Sequence, residues 1–281
     1  MKILITGSAG DLGQALVDDL ESHHTLFCLD VKEPSRRQTN FTRGSVLDRK
    51  LLGELLGDVD CVVHIAGWHG IHEFYESKDA FDFWDLNATG TFNVLEASQR
   101  AGVAKLVYMS STSILDFPGV YAHSKAIGED LARVYAARSG MDIISLRPRA
   151  FTPWTNNVWK GYAEWAQWFL RGAVHISDVV QAVRKCVERD GNPGHIALTL
   201  DGAYEYTANE LNTWDSRGPG STFVKRFGSD SFKLAVDSGL DPTVRPEILG
   251  FGKARETIGY DPRYGISQLL VDLRRRRDAT Q

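Results

Sequence analysis

The sequence holds only three cysteines, Cys28, Cys61 and Cys186, and their spacing matches neither a disulfide framework nor a zinc site. Cys28 and Cys61 lie inside apolar runs and read as small buried hydrophobes, which suits a reducing, cytoplasmic setting. No apolar run approaches the roughly 20 residues of a membrane span. No signal peptide is expected either, because Met1-Lys2 leads at once into the strand-like Ile3-Leu4-Ile5. There is no large excess of one charge: 32 basic against 36 acidic residues leave a formal net charge of −4. That balance gives no reason to expect nucleic acid or an anionic membrane as partner. The basic run Arg274–Arg277 reads as the solvated end of a last helix, where cations suit the helix dipole. Internal repeats, low-complexity segments and proline-rich linkers are also missing. What remains is 281 residues of ordinary soluble composition, enough for one large α/β domain or one domain with an appended lobe.

Strand and helix patterns alternate through the first half. Strands are expected at Lys2–Thr6, Leu26–Leu29, Phe41–Gly44, Asp60–Ile65, Lys105–Met109 and Asp142–Leu146. Helices are expected at Gln14–Leu20, Leu51–Leu56 and Asp79–Ala101, and from Tyr121 to about residue 139. This alternation predicts a doubly wound parallel sheet, whose ligands lie at the carboxyl ends of the strands. A dinucleotide-binding domain is expected over 1–150 and a small C-terminal substrate lobe over 151–281. A segment at about 174–200 is expected to return to the first domain.

The first strand runs into Gly7-Ser8-Ala9-Gly10-Asp11-Leu12-Gly13 and then a helix. That context gives the glycines a purpose. Gly7 permits the tight turn, Gly10 lets backbone N–H groups approach a pyrophosphate, and Gly13 lets helix pack on strand. The helix N-terminus adds its positive dipole. Asp30 ends the second strand 20 residues beyond Gly10, where a carboxylate bonds an adenosine ribose hydroxyl and repels a 2′-phosphate. NAD is therefore the expected cofactor, with Arg36 and Arg37 close enough to favour NADP instead.

Tyr121 and Lys125, four residues apart, share one helix face. A nearby ammonium stabilises a phenolate, so the Tyr121 pKa is expected to fall toward working pH, as suits a general base on an alcohol. His69 and His72 follow the fourth strand without an acidic or cysteine partner at ligand spacing, so that loop is expected to line a substrate pocket rather than hold metal. The glycine turn, Asp30, Ala66-Gly67, Ser111 and Arg147 all fall at strand carboxyl ends.

Together these motifs resemble the extended short-chain dehydrogenase/reductases, the NAD-dependent epimerase/dehydratase family. The matching pieces are Thr6–Gly13, Asp30, Asp48, His64–Gly67, Asn87-x-x-Gly90-Thr91, Ser110-Ser111, Tyr121–Lys125 and Arg147-Pro148. Later pieces, Val174–Val179 and Lys253–Tyr264, extend the likeness over nearly the whole chain. The resemblance implies Tyr121 as general base and acid, Lys125 on the nicotinamide ribose, and Ser111, rather than Ser110, on the reacting oxygen. It implies Asp48 at the adenine and Asn87 ordering the helix and site waters. Gly7, Gly10, Asp11, Leu12, Gly13, Val46, Leu47, Ile65, Ala66, Gly67 and Arg147 complete the implied cofactor contacts. A small-molecule substrate is the expected partner, and a homodimer through the helices 79–101 and 121–139 is expected.

Departures narrow the substrate. Only nine residues separate Ser111 from Tyr121, a short loop that suits a smaller ligand. Sugar dehydratases place an Asp-Glu pair where Thr112 and Ser113 stand. Nucleotide-sugar enzymes place an asparagine where Ala150 stands. Thr152-Pro153 with Asn156-Asn157 resembles the uronate dehydrogenases, but Trp159 occupies the position of their carboxylate-clasping arginine. About half of the aromatics between Trp154 and Phe169 are expected in a core. His69, Thr112, Ser113, Trp154, Asn156, Asn157 and Trp159 are the expected substrate contacts. The reading is an NAD-dependent dehydrogenase of a small sugar-like alcohol or hemiacetal. The alternative is an epimerase with tightly bound NAD. A non-catalytic NAD sensor is disfavoured, because it needs no proton relay.

Overall fold

The computed structural model describes residues 1–116 and 118–279. It divides into two units. The first comprises Met1–Pro148, Val180–Leu200 and Gly252–Tyr260, and the second Arg149–Val179, Asp201–Phe251 and Asp261–Gln281.

The first unit is a parallel sheet of β1 (Lys2–Thr6), β2 (Thr25–Asp30), β3 (Phe41–Arg43), β4 (Cys61–His64), β5 (Lys105–Met109), β6 (Asp142–Pro148) and β7 (Gly194–Leu200). The strand order is β3-β2-β1-β4-β5-β6-β7. Parallel strands covered on both faces need continuous apolar runs. Ile3-Leu4-Ile5, Cys61-Val62-Val63 and Leu106-Val107 supply them, and all are fully buried. The strand order reverses between β1 and β4, which opens a crevice at their carboxyl ends. Its helices include α1 (Asp11–Leu20), α2 (Arg49–Leu55), α3 (Gly70–Phe74), α4 (Ala80–Phe83), α5 (Gly90–Ala101) and α6 (Val120–Ser139).

The helix expected over 79–101 is not uniform. A π-helical turn, Trp84–Thr89, joins α4 to α5. Such widened turns gather at functional sites, and this one carries Asn87. Val46, expected at the cofactor, has its side chain buried against Gly90, and its carbonyl oxygen accepts a hydrogen bond from Asn93 at 3.2 Å.

The second unit is built round a hydrophobic cluster of aliphatic and aromatic side chains that includes Trp165, Phe169, Tyr206, Phe223, Leu269 and Leu270. The helices Tyr162–Arg171 and Ile266–Asp278 contribute most of it. Expected helices around Asn209–Trp214 and Ser231–Ser238 form at Ala208–Asn212 and Ser229–Asp237.

Candidate active site

The glycine turn is shaped by contact. Gly7 has φ +76°, and a Cβ there would lie 2.8 Å from the Ala66 nitrogen. A Cβ at Gly13 would lie 2.2 Å from the Gly7 carbonyl oxygen, so any side chain would push α1 off β1. Helix α1 opens at Asp11 with Gly10 as N-cap, and no side chain caps it. Backbone donors at such an end suit an anion; the side chain of Leu12 is buried and offers only its backbone. Asp30 stands beside this turn, accepting from the Ala9 N–H at 2.9 Å and the Lys32 N–H at 2.9 Å. Arg36 is paired with Asp18 of α1 at 3.0 Å, exposed on the surface. Asp48 caps α2 through one oxygen, which accepts from Lys50 and Leu51. Leu47, next to it, is exposed.

The carboxyl end of β4 is tied to β1. Ile65 and Ala66 donate their N–H groups to Thr6 oxygens. Gly67 lies against the centre of the site: a Cβ there would come within 2.9 Å of Asn87 Oδ1 and 3.2 Å of Lys125 Nζ. Asn87 holds the next residue from both sides, accepting from Trp68 N–H at 2.8 Å and donating to Trp68 C=O at 2.9 Å. Its amide also reaches Ser124 Oγ at 2.9 Å, and Ser124 donates to the Tyr121 carbonyl. Asn87 therefore links the loop after β4 to α6.

Tyr121 and Lys125 are both buried on α6. Ser111 stands near enough to the Tyr121 hydroxyl to act on its pKa. Ser113 braces Ser111 through its hydroxyl at 3.0 Å and its N–H at 3.1 Å. Ser110 is directed elsewhere, donating to Glu129. Lys125 Nζ donates to the Met109 carbonyl at 2.9 Å, and burial lowers its pKa to about 8. The expected fall in the Tyr121 pKa needs correction. Burial raises it, and only the nearby Ser111 hydroxyl opposes that rise. Desolvation penalises a phenolate more than the protein's own groups offset.

Arg147, expected beside the cofactor, instead grips Glu129 with two nitrogens, and that carboxylate raises its pKa. It is a brace between β6 and α6. Thr112 Oγ1 lies 3.4 Å from the Pro148 carbonyl, and Ser113 supports Ser111, so neither stands free. His69 caps α3, and burial and its neighbour His72 lower its pKa to about 4. His72 is folded back on the His69 backbone at 3.1–3.2 Å. Among the described residues, no group of three or more His, Cys, Asp or Glu could hold a metal.

Two contributors escaped sequence reasoning. Glu73 of α3 accepts from the Val120 N–H at 2.6 Å and the Tyr121 N–H at 3.4 Å. The N-cap of α6 is Gly119, which has no side chain to do this. Gly70 lies against the Tyr121 ring, where a Cβ would be 3.2 Å away. The only sequence signal for either was a position shortly after the β4 motif.

The remaining substrate candidates lie in the second unit. Trp159 packs against Trp168, ring centroids 4.9 Å apart and tilted by 42°, at the margin of the hydrophobic core. Trp154 is covered by Arg276, whose guanidinium carbon is 4.3 Å from the Trp154 ring and 3.8 Å from the Tyr162 ring. Both tryptophans thus have packing partners within their own unit, while Trp154 keeps 40% of its surface exposed. Arg276, exposed near the end of the last helix, lays its guanidinium over the Trp154 and Tyr162 rings. Asn156 Oδ1 accepts from Val158 N–H at 3.1 Å and shapes its own turn, while Asn157 is exposed.

Residues 3–152 match the NAD dependent epimerase/dehydratase family. The chain belongs to that family. It is 24% identical to a uronate dehydrogenase of Pseudomonas putida over 261 residues, covering 86% of this chain and 90% of that enzyme. It is 22% identical to a UDP-glucose 4-epimerase of Bacillus subtilis, covering 97% and 95%. The solved structure of MoeE5 in complex with UDP-glucose and NAD superposes with a TM-score of 0.72 at 20% identity, over 100% of both chains. At that identity the superposition establishes the fold. The family's NAD fits the residues here: an uncapped helix start, a glycine cradle with no room for a Cβ at Gly13, and a carboxylate at the end of β2.

Proposed function

We propose that this protein is an NAD-dependent oxidoreductase moving a hydride between NAD and a secondary alcohol or hemiacetal carbon of a small sugar-like molecule. The observation that carries this reading is that Ser111, Tyr121 and Lys125 are all buried, with Tyr121 and Lys125 one turn apart on α6. When bound, NAD supplies the hydride acceptor. The N–H groups of Asp11, Leu12 and Gly13 receive the pyrophosphate, Asp30 the adenosine ribose, and the second oxygen of Asp48 the adenine. Ser111 orients the substrate hydroxyl, and Tyr121 takes its proton. Lys125, anchored on Met109, holds the nicotinamide ribose and brings the positive charge that a phenolate needs. Ile65, Ala66 and Gly67 form the floor, and His69 with its loop forms one substrate wall. Asp30 opposes a 2′-phosphate, and Arg36 is engaged by Asp18, which supports NAD over NADP.

With no carboxylate at Thr112 or Ser113, elimination chemistry has no acid and base there. Ala150 in place of asparagine argues against a nucleotide handle. The uronate dehydrogenase likeness supports a free sugar. A second reading, an epimerase retaining its NAD, is favoured by the match to the Bacillus subtilis enzyme over nearly both whole chains. A homodimer through α4–α5 and α6 fits the exposed Phe81 (80%), Trp84 (53%) and Val134 (47%) on those helices. The free, buried cysteines fit a reducing, cytoplasmic location. Purified protein should produce NADH from NAD with a free aldose, uronate or polyol. Conversion of UDP-glucose without net NADH would overturn the dehydrogenase and establish the epimerase.

A further inference from the structure

His64 is almost fully buried at the end of β4, and the mechanism above does not use it. Its ring joins two hydroxyls. Nδ1 lies 2.8 Å from Thr6 Oγ1, and Nε2 lies 3.0 Å from Thr91 Oγ1. The Thr91 hydroxyl also reaches the Asn87 carbonyl at 2.5 Å. A carbonyl can only accept, so the single Thr91 hydrogen is committed to it. The Thr91 oxygen must therefore accept from His64, which puts the ring proton on Nε2. Nδ1 is then an acceptor, and Thr6 donates to it. Thr6 Oγ1 in turn accepts from the Ile65 and Ala66 N–H groups at 3.3 Å each. This direction of donation satisfies both His64 ring nitrogens and both threonine hydroxyls at once.

The chain ends at the residue that matters. Asn87 lies in the π-helical turn and holds both Trp68 and Ser124, beside Gly67 and Lys125. The other face of His64 stacks on Tyr108 at 5.9 Å, whose ring lies 5.4 Å from Lys125 Nζ. A Cβ on Gly128 of α6 would meet the Tyr108 hydroxyl, so this ring also seats the helix. We propose that His64, locked as the neutral Nε2–H tautomer, is a positioning residue that fixes the Asn87 turn and through it the Tyr121–Lys125 helix. This rests on the oxidoreductase reading only for its kinetic consequence. Burial and the nearby Lys125 charge lower the His64 pKa to about 3, in keeping with a ring that stays neutral.

The test has two arms. Nitrogen-15 shifts of the histidine side chains, with His64 assigned by comparison to His64→Gln, should show one neutral Nε2–H ring unchanged from pH 5 to 8. An Nδ1–H tautomer, or protonation within that range, would overturn the proposal. In the second arm, His64→Gln keeps a donor near the Nε2 position, whereas His64→Asn is too short to reach Thr91. Displacing a site by about 1 Å costs roughly 100-fold, so His64→Asn should lose about that much kcat while NAD affinity stays within about threefold. His64→Gln should recover most of it, and Thr91→Val should resemble His64→Asn. Equal activity of the Gln and Asn variants, both folded, would overturn the positioning role. The shifts need no substrate. A wild-type protein that oxidises nothing would therefore sink the oxidoreductase reading without touching the tautomer measurement.

Discussion

The two units solve the burial of polar and aromatic groups differently. In the first, the side chains around Tyr121 hydrogen-bond to backbone groups at or just past the strand ends: Thr6 to Ile65 and Ala66, Lys125 to Met109, Asn87 to Trp68. In the second, rings pack on rings: Trp165 on Phe169, Trp159 on Trp168, Tyr206 on Trp214. A hydrogen bond from a strand end has a direction that follows from register. An aromatic ring can fill a core or wall a pocket with the same chemistry. The sequence pattern therefore predicts position well in the first unit and poorly in the second.

The sharpest way to break this contrast is at its catalytic end. Tyr121→Phe removes one hydroxyl and leaves the ring against Phe83 and Gly70. General acid–base groups contribute roughly 10²–10⁴-fold, so turnover should fall about 1,000-fold with the fold and NAD affinity retained. Substrate-dependent NADH formation and calorimetric NAD titration measure the two. Near-normal turnover would show that the buried Ser111–Tyr121 pair is packing, no different in kind from the second unit's rings.

Within the first unit, legibility follows sequence distance and period. β1, β5 and the glycine turn were readable because apolar runs and glycine spacing are local. Asp30 was readable because β2 ends there. The Glu73 contact was not, because it lies 47 positions before Val120 and no periodicity links an acid on one helix to the N-terminus of another. The Arg147–Glu129 pair failed for the same reason, and the π-turn at Asn87 has no composition of its own. The pKa of Tyr121 was misread because spacing shows the approach of Lys125 and hides the burial that opposes it. In the second unit the proline and asparagine turn was visible, but the covering of Trp154 by Arg276 joins residues far apart in the chain.

Glu73 gives the next test. It supplies the cap that Gly119 lacks, so Glu73→Ala leaves the first N–H groups of α6 without that acceptor. Loss of an N-cap costs about 1 kcal/mol, to be read from urea unfolding. Because Tyr121 is the second residue of α6, kcat should also fall about tenfold, a rate change equivalent to about 1.4 kcal/mol. Glu73→Gln retains an acceptor and should recover most of the rate. Stability loss with unchanged kcat would make the cap structural and move this part of the first unit closer to the second.

The smallest effect is expected where the second unit's packing is most exposed. The Arg276 guanidinium lies over the Trp154 ring at 4.3 Å and the Tyr162 ring at 3.8 Å, and the two rings meet edge to face at 5.7 Å. Tyr162 is fixed from the other end by Tyr264, whose hydroxyl donates to Asp272 at 2.7 Å. Arg276 is thus the lid of an aromatic stack within its own unit. A cation on a solvent-exposed ring is worth about 0.5–1 kcal/mol, so Arg276→Ala should lower unfolding stability by about that much. Trp154 should gain solvent, seen as a red shift in tryptophan emission. Arg276→Lys keeps the charge but loses the flat guanidinium that stacks on a ring, so it should recover only part of the loss. If Trp154 serves packing alone, kcat and KM for the sugar should stay within about twofold, because uncovering the ring removes no substrate contact and gives no difference in transition-state binding. A KM change of tenfold or more, with little stability loss, would return Trp154 to the substrate and show that the aromatic segment after Pro153 acts as binding wall as well as core.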